Sequence, residues 1–271
     1  MAILKKVEPA GRCTRVLAAL LLVGAAQAAL AADISVLSAG AIEPGIRPAL
    51  AAFEALTGHL VTLTFATAPQ IRQRVEAGAA FDVVIAPPAV LDALAALDAT
   101  AIAMASKFPA DNTQRVAIGR VGVGVAVRPG APLPDLSSTE SLKRELLAAD
   151  SLVFNRASTG AHFDTVLKKL GIEAPAAAKT TRYPDGASVM EHVLRGQGRE
   201  LGVGAITEIL LLRDKGLQLA DPLPPEVQNL TAYAAVAARL PASDATAALL
   251  AHLRSPATQA GLKAAGVAAE R

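Results

Sequence analysis

The sequence predicts an α/β fold of two lobes, each a mostly parallel sheet covered by helices, joined by two crossover hinges. Three observations predict it. Apolar runs of strand length alternate with stretches of helical periodicity, the pattern of parallel sheets with helices on both faces. Hydrophobic residues make up 52% of the chain and aromatics only 3%, so Ala, Val, Leu and Ile build the core and let helices lie close to sheets. The alternation breaks twice, at polar or proline-rich segments, so the chain crosses between two bodies and returns.

Residues 1–31 read as an export signal. Lys5, Lys6, Arg12 and Arg15 form a basic start, residues 16–26 are uninterrupted small apolar side chains, and Ala29-Leu30-Ala31 supplies a cleavage pattern. The apolar run is too short to stay in a bilayer as a spanning helix. Cleavage before Ala32 leaves 240 residues. Strands follow over 34–39, 60–66, 81–86, 121–127, 151–155, 179–183, 201–205 and 230–237. Between them Ile46, Leu50, Phe53 and Leu56 trace one helical face, stopped by Gly58. Ile71 and Val75 trace a second, stopped by Gly78, and Ser137 with Glu140 forms a capping box ahead of a third over 142–149. Phe163, Val166, Leu167 and Leu170 mark a fourth, ended by Gly171; Val189, His192 and Val193 mark a fifth, ended by Gly196. The breaks fall near 115–120 and 222–232. They divide the chain into lobe one, 32–117 plus 235–271, and lobe two, 118–234.

Without its leader the chain falls from a net charge of +2 to −1, which leaves no basic surface for nucleic acid. The single cysteine, Cys13, lies in the leader, so the remaining chain has no disulfide, cysteine nucleophile or thiolate metal site. Four histidines (His59, His162, His192, His252) are scattered without ligand spacing, so no metal is expected, and no loop binds a dinucleotide or other cofactor. A monomeric periplasmic protein is the expectation.

The chemistry is expected where strands run directly into helices. The first four N–H groups of a helix lack internal partners and carry partial positive charge, so such corners suit anions. Four corners qualify: SAGAIEPG (38–45), ATAPQIR (66–72), NRASTGAHF (155–163) and YPDGASV (183–189). The candidate ligand contacts are Ser38, Ala41 and Ile42 at the first and Thr67, Ala68 and Arg72 at the second. Arg156, Ser158, Thr159 and Gly160 supply the third, and Gly186, Ala187 and Ser188 the fourth. Backbone amides do most of the holding, Ser158 and Thr159 add hydroxyls, and either arginine can pair with a carboxylate. Taken singly, each corner is better explained as a tight α/β connection, and it is the agreement among four that points to a site.

The blocks ISVLSAGAI and FEALTGHLVTLTFATAPQIRQRVEAGAAFDVVIAPPAVLDAL, with RVGVGVAVRPGAP, GRELGVGAITEI and LRSPATQAGLKAAG, resemble the periplasmic molybdate-binding proteins of ABC importers. The resemblance covers essentially the whole chain after the leader. It implies a type II periplasmic binding protein that closes around a small anion and delivers it to an ABC permease. It also implies serines after the first two strands, where Ala41 and Thr67-Ala68 stand here, and a tyrosine near the end of 201–205, where Ala205 stands. Each lost hydroxyl donor costs a buried anion about 1–3 kcal/mol. The pattern is therefore similar to a divergent branch of the family, one that includes periplasmic aconitate isomerase. Two functions stay open: capture of an organic carboxylate or molybdate-like oxyanion for import, or isomerisation of a small tricarboxylic acid. The second needs a base, for which His162 and Glu208 are the candidates.

Overall fold

The computed structural model describes residues 31–97, 107–109 and 112–269. The export signal expected over 1–31 lies outside them except for Ala31. The elements run β1 (Asp33–Ala39), α1 (Glu43–Thr57), β2 (Leu60–Ala66), α2 (Ala68–Glu76), β3 (Val83–Ala86), α3 (Pro88–Ala95) and β4 (Val116–Val127). They continue α4 (Thr139–Ala148), β5 (Ser151–Asn155), α5 (Ser158–Lys169), α6 (Glu173–Ala177), β6 (Thr180–Tyr183), α7 (Gly186–Arg195) and β7 (Glu200–Ala205). The chain ends with α8 (Ile206–Leu211), β8 (Gln218–Pro222), β9 (Leu230–Ala237), α9 (Asp244–Arg254) and α10 (Pro256–Ala264).

The strands lie in the order β2-β1-β3-β9-β4-β7-β5-β6, with β8 on β4. At the two ends the expected parallel pairing holds: β1 with β2 and β3, and β5 with β6 and β7. The middle differs. Strands β4 and β9 run antiparallel to each other and to every other strand they pair with, so the sheet is mixed. These are the strands at the two breaks in the sequence pattern. Their pairing joins Val116–Gly122 to Leu230–Ala235.

The apolar interior gathers in separate clusters. One takes Ile34, Val36 and Leu37 of β1, Phe53 of α1, the β3 valines, and Leu249 and Leu253 of α9. Another takes Leu142 and Leu146 of α4, Phe154 of β5, Phe163 of α5 and Val203 of β7. Strand β4 changes allegiance within two residues: Val121 belongs to the first cluster and Val123 to the second. Phe154 and Phe163 meet edge to face with ring centroids 5.0 Å apart, a favoured aromatic geometry.

Helix α1 buries Ile46, Leu50 and Phe53 as its periodicity demands and stops at Gly58 in the left-handed conformation (φ 73°). Leu56, assigned to the same face, is 76% exposed. The cap of α4 is Ser138, whose side chain accepts from the Ser141 amide. Ser137, expected in that role, donates instead to Asp135. The reciprocal capping box belongs to α2, between Thr67 and Gln70. Among the described residues no helix is long and apolar enough to cross a membrane.

Candidate functional site

The carboxyl ends of β1, β2 and β5 and the start of α7 converge on one cavity of about 50 Å³. Ala39, Gly40 and Ala41 form one wall, and Ala66, Thr67 and Ala68 the next. Asn155, Ala157, Ser158 and Thr159 face them, with Gly186 beside these. Each wall is the turn between a strand and a helix, where amides point outward for want of helical partners. The small side chains are what let the backbone line the space.

Of the expected contacts, Ala41, Thr67, Ala68, Ser158, Thr159 and Gly186 line this cavity. The others lie elsewhere. Ser38 is fully buried and donates to the Ala39 carbonyl at 3.3 Å, and Ile42 is packed in the core. Arg72 is exposed and pairs with Glu76 one turn on at 2.6 Å, and Arg156 is exposed. Gly160 donates its amide to Asn155 Oδ1 at 2.9 Å. A side chain there would meet the Asn155 carbonyl, so this glycine serves the packing of α5 on β5. Ala187 and Ser188 border a separate surface groove with Tyr183 and His192, and the Ser188 amide donates to Asp185.

Two lining groups were not among the expected contacts. Asn155 is 4% exposed and accepts from the amides of Ala157 and Gly160 at 3.0 and 2.9 Å, which fixes the turn that presents Ser158 and Thr159. Tyr233 is 5% exposed and reaches the cavity from β9. A tyrosine thus stands in the site, though from a different strand than the one ending at Ala205. Burial first, then the nearby Glu208 charge, push its phenol up, so the phenol keeps its proton and remains a donor.

Glu208 is one of the two candidate bases expected from the sequence. His162, the other candidate base, is bound through Nε2 to the Val227 carbonyl at 2.8 Å and does not line the cavity. Glu208 does. It sits in the first turn of α8, held by the preceding Thr207, whose buried hydroxyl donates to the Ala41 carbonyl across 166 positions of chain. Its carboxylate lies against the Cα of Gly186: a side chain there would begin 2.0 Å from Glu208 Oε2. Desolvation pushes the carboxyl up from 4.5 to about 7, and the charges of Asp185 and Glu43 add to this against a hydrogen bond from the Ala205 backbone. No lysine or arginine lines the cavity, and no cation pairs with Glu208 among the described residues. Nor do three or more metal-ligating side chains gather anywhere among those residues.

A mixed α/β sheet with backbone amides converging on a cavity beyond the strand ends is the arrangement of a ligand-binding cleft protein. The chain belongs to the bacterial extracellular solute-binding proteins, whose family pattern it matches over residues 34–268. Among proteins of known activity, aconitate isomerase from Pseudomonas sp is 29% identical over 231 residues, 82% of each chain. Among solved structures, the periplasmic molybdate-binding protein of Azotobacter vinelandii superposes with a TM-score of 0.67 at 16% identity, over 88% of this chain and all of that one. The sulfate-binding protein of Mycobacterium tuberculosis gives 0.62 at 16%, over 87% and 86%. These likenesses place the fold among the molybdate-binding-like proteins.

Proposed function

We propose that the chain is a periplasmic protein that binds a small polycarboxylate and isomerises it by moving a proton between carbons, as an aconitate isomerase does. Glu208 carries this reading. A protein that only traps a fully ionised anion gains nothing from an unpaired carboxylate in the trap, since like charges repel in a partly desolvated space. A protein that removes a proton from carbon needs such a group, with an affinity for protons near the working pH. The hydroxyls of Ser158, Thr159 and Tyr233 and the amides of the corners supply donors for the substrate's carboxylates and for the charge that develops when the C–H bond breaks. The relative of known activity supports the substrate class.

The cavity accommodates a few water molecules at its present volume. A tricarboxylate needs more, so the reading includes separation and closure of the walls. The two-lobe division expected at 117/118 and 234/235 would allow this: β4 passes from the first apolar cluster at Val121 to the second at Val123, while β9 packs in the first, and the two strands would act as the hinges. Export through residues 1–31 delivers the protein to the periplasm in this reading.

Family membership favours a second reading, capture of an anion for an ABC permease without chemistry. One pair of measurements separates them. Ultraviolet absorbance follows conversion between trans- and cis-aconitate, and calorimetry follows binding of both, of citrate and of molybdate. Conversion with tricarboxylate binding supports the isomerase. Tight binding of molybdate, with neither conversion nor tricarboxylate binding, supports capture.

A further inference from the structure

The isomerisation proposed above moves a double bond along three carbons. A C–H bond at one terminus of the allylic system breaks, its electron pair spreads over the three carbons and the attached carboxylates, and a proton is added at the other terminus. No electrons enter or leave, and no water is consumed. Such a shift can use two groups on opposite faces of the substrate, or one group that takes the proton and returns it on the same face.

We propose that Glu208 performs both transfers, as a single base working on one face of the substrate. Three observations carry this. First, Glu208 alone among the residues lining the cavity can exchange a proton at neutral pH. Tyr233 is held protonated by burial and by the Glu208 charge, and the remaining lining side chains are hydroxyls, an amide, or the alanines and glycines of the corners. Secondly, the opposite wall offers no partner base. His162 is tied to the Val227 carbonyl, and Asp185, which faces Glu208 from the start of α7, accepts from the Ser188 amide and is not among the lining residues. Glu43, the other acid that acts on Glu208, is paired with Arg47 on the exposed side of α1. Thirdly, the carboxylate is seated. Gly186 leaves it room, and the Thr207 hydroxyl fixes the turn that carries it to the Ala41 corner. Both carboxylate oxygens lie close to where a Gly186 side chain would begin, so the group is held at the cavity wall as one seated acid.

The proposal rests on the isomerase reading, and its test keeps the two apart. Aconitate bearing deuterium at the methylene carbon is turned over by the full chain in ordinary water, and the label in the product is read by proton NMR and mass spectrometry. A single shielded base returns part of the label to the new methylene, because a cavity holding few waters slows exchange of the carboxyl proton. Complete loss of label to solvent overturns the single-base proposal while leaving the isomerase reading intact. Glu208→Gln should lower kcat about 10²–10⁴-fold, with aconitate affinity within about tenfold of the parent. Turnover by this variant within tenfold of the parent likewise overturns the assignment and spares the reading. Glu208→Asp, which keeps the acid but withdraws it by one methylene, should regain part of the activity if the chemistry lies in the carboxylate. A Gln variant that folds and an Asp variant no better than Gln would count against it. Absence of conversion by the parent chain overturns both reading and proposal.

Discussion

Gly186 and Glu208 occupy one space, and the glycine is there for what it lacks. An added methyl group would stand 2.0 Å from Glu208 Oε2 and 2.3 Å from its carboxyl carbon, well inside contact distance. Gly186→Ala should therefore push the carboxylate off its seat, costing about 1–3 kcal/mol of stability and most of the turnover, measured by thermal unfolding and by the aconitate assay. Ser158 and Thr159 line the cavity, and in the proposed reading they act through their hydroxyls. Replacing either by Ala should weaken tricarboxylate binding by about 1–3 kcal/mol, read by calorimetry, with less effect on folding because Asn155 rather than either hydroxyl holds the turn. The corner motif around 155–160 was legible as letters, whereas the division of labour within it was not. The amide of Gly160 is taken by Asn155, and that depends on a side-chain rotation that spacing does not encode.

At the scale of elements, β4 depends on a bulge. Its pairing with β9 shifts between Ala117 and Gly119, and Gly119 takes φ 133°, with the Ala268 carbonyl 2.5 Å from where a Cβ would be. Beyond the bulge Arg120 bridges to Ala268 and brings the C-terminal segment onto the strand. Gly119→Ala should destabilise the fold by about 1–3 kcal/mol, seen as a lower denaturation midpoint with unchanged slope. Strands β2, β5 and β9 were read to the residue because each is a continuous apolar or β-branched run between turn signals. Strand β8 was missed: QLADP is short, polar and ends in proline, and only its antiparallel pairing with β4 makes it a strand. Helix α3 was missed behind Pro87-Pro88, although proline at the first turn suits a helix start. Tyr233 illustrates the general limit. Its strand was plain in the sequence, but its arrival beside residues 39–41 and 155–159 follows from the crossing of β4 and β9, a long-range fact without local trace.

For the whole molecule, Glu208 ties stability to pH. Its carboxyl titrates near 4.5 when the chain is unfolded and at about 7 when folded, so between these values the folded state keeps a proton that the unfolded state releases. Stability from this group is fully present below pH 4.5 and is lost as pH rises to about 7, levelling above, by at most about 3 kcal/mol. Glu208→Gln carries no such proton. The difference in melting temperature, variant minus parent, should grow from pH 4.5 to 7.5, and a difference independent of pH would falsify the assignment of that proton to Glu208. The seat shared by Gly186 and Glu208 also has an ancestral meaning. Two positions that fill one volume should vary together, so lineages keeping glycine and glutamate together should be those that keep the acid in its seat. A lineage that has drifted to a bulkier letter at 186 has surrendered the acid's place, whatever stands at 208, and two columns of an alignment would then part catalysts from carriers.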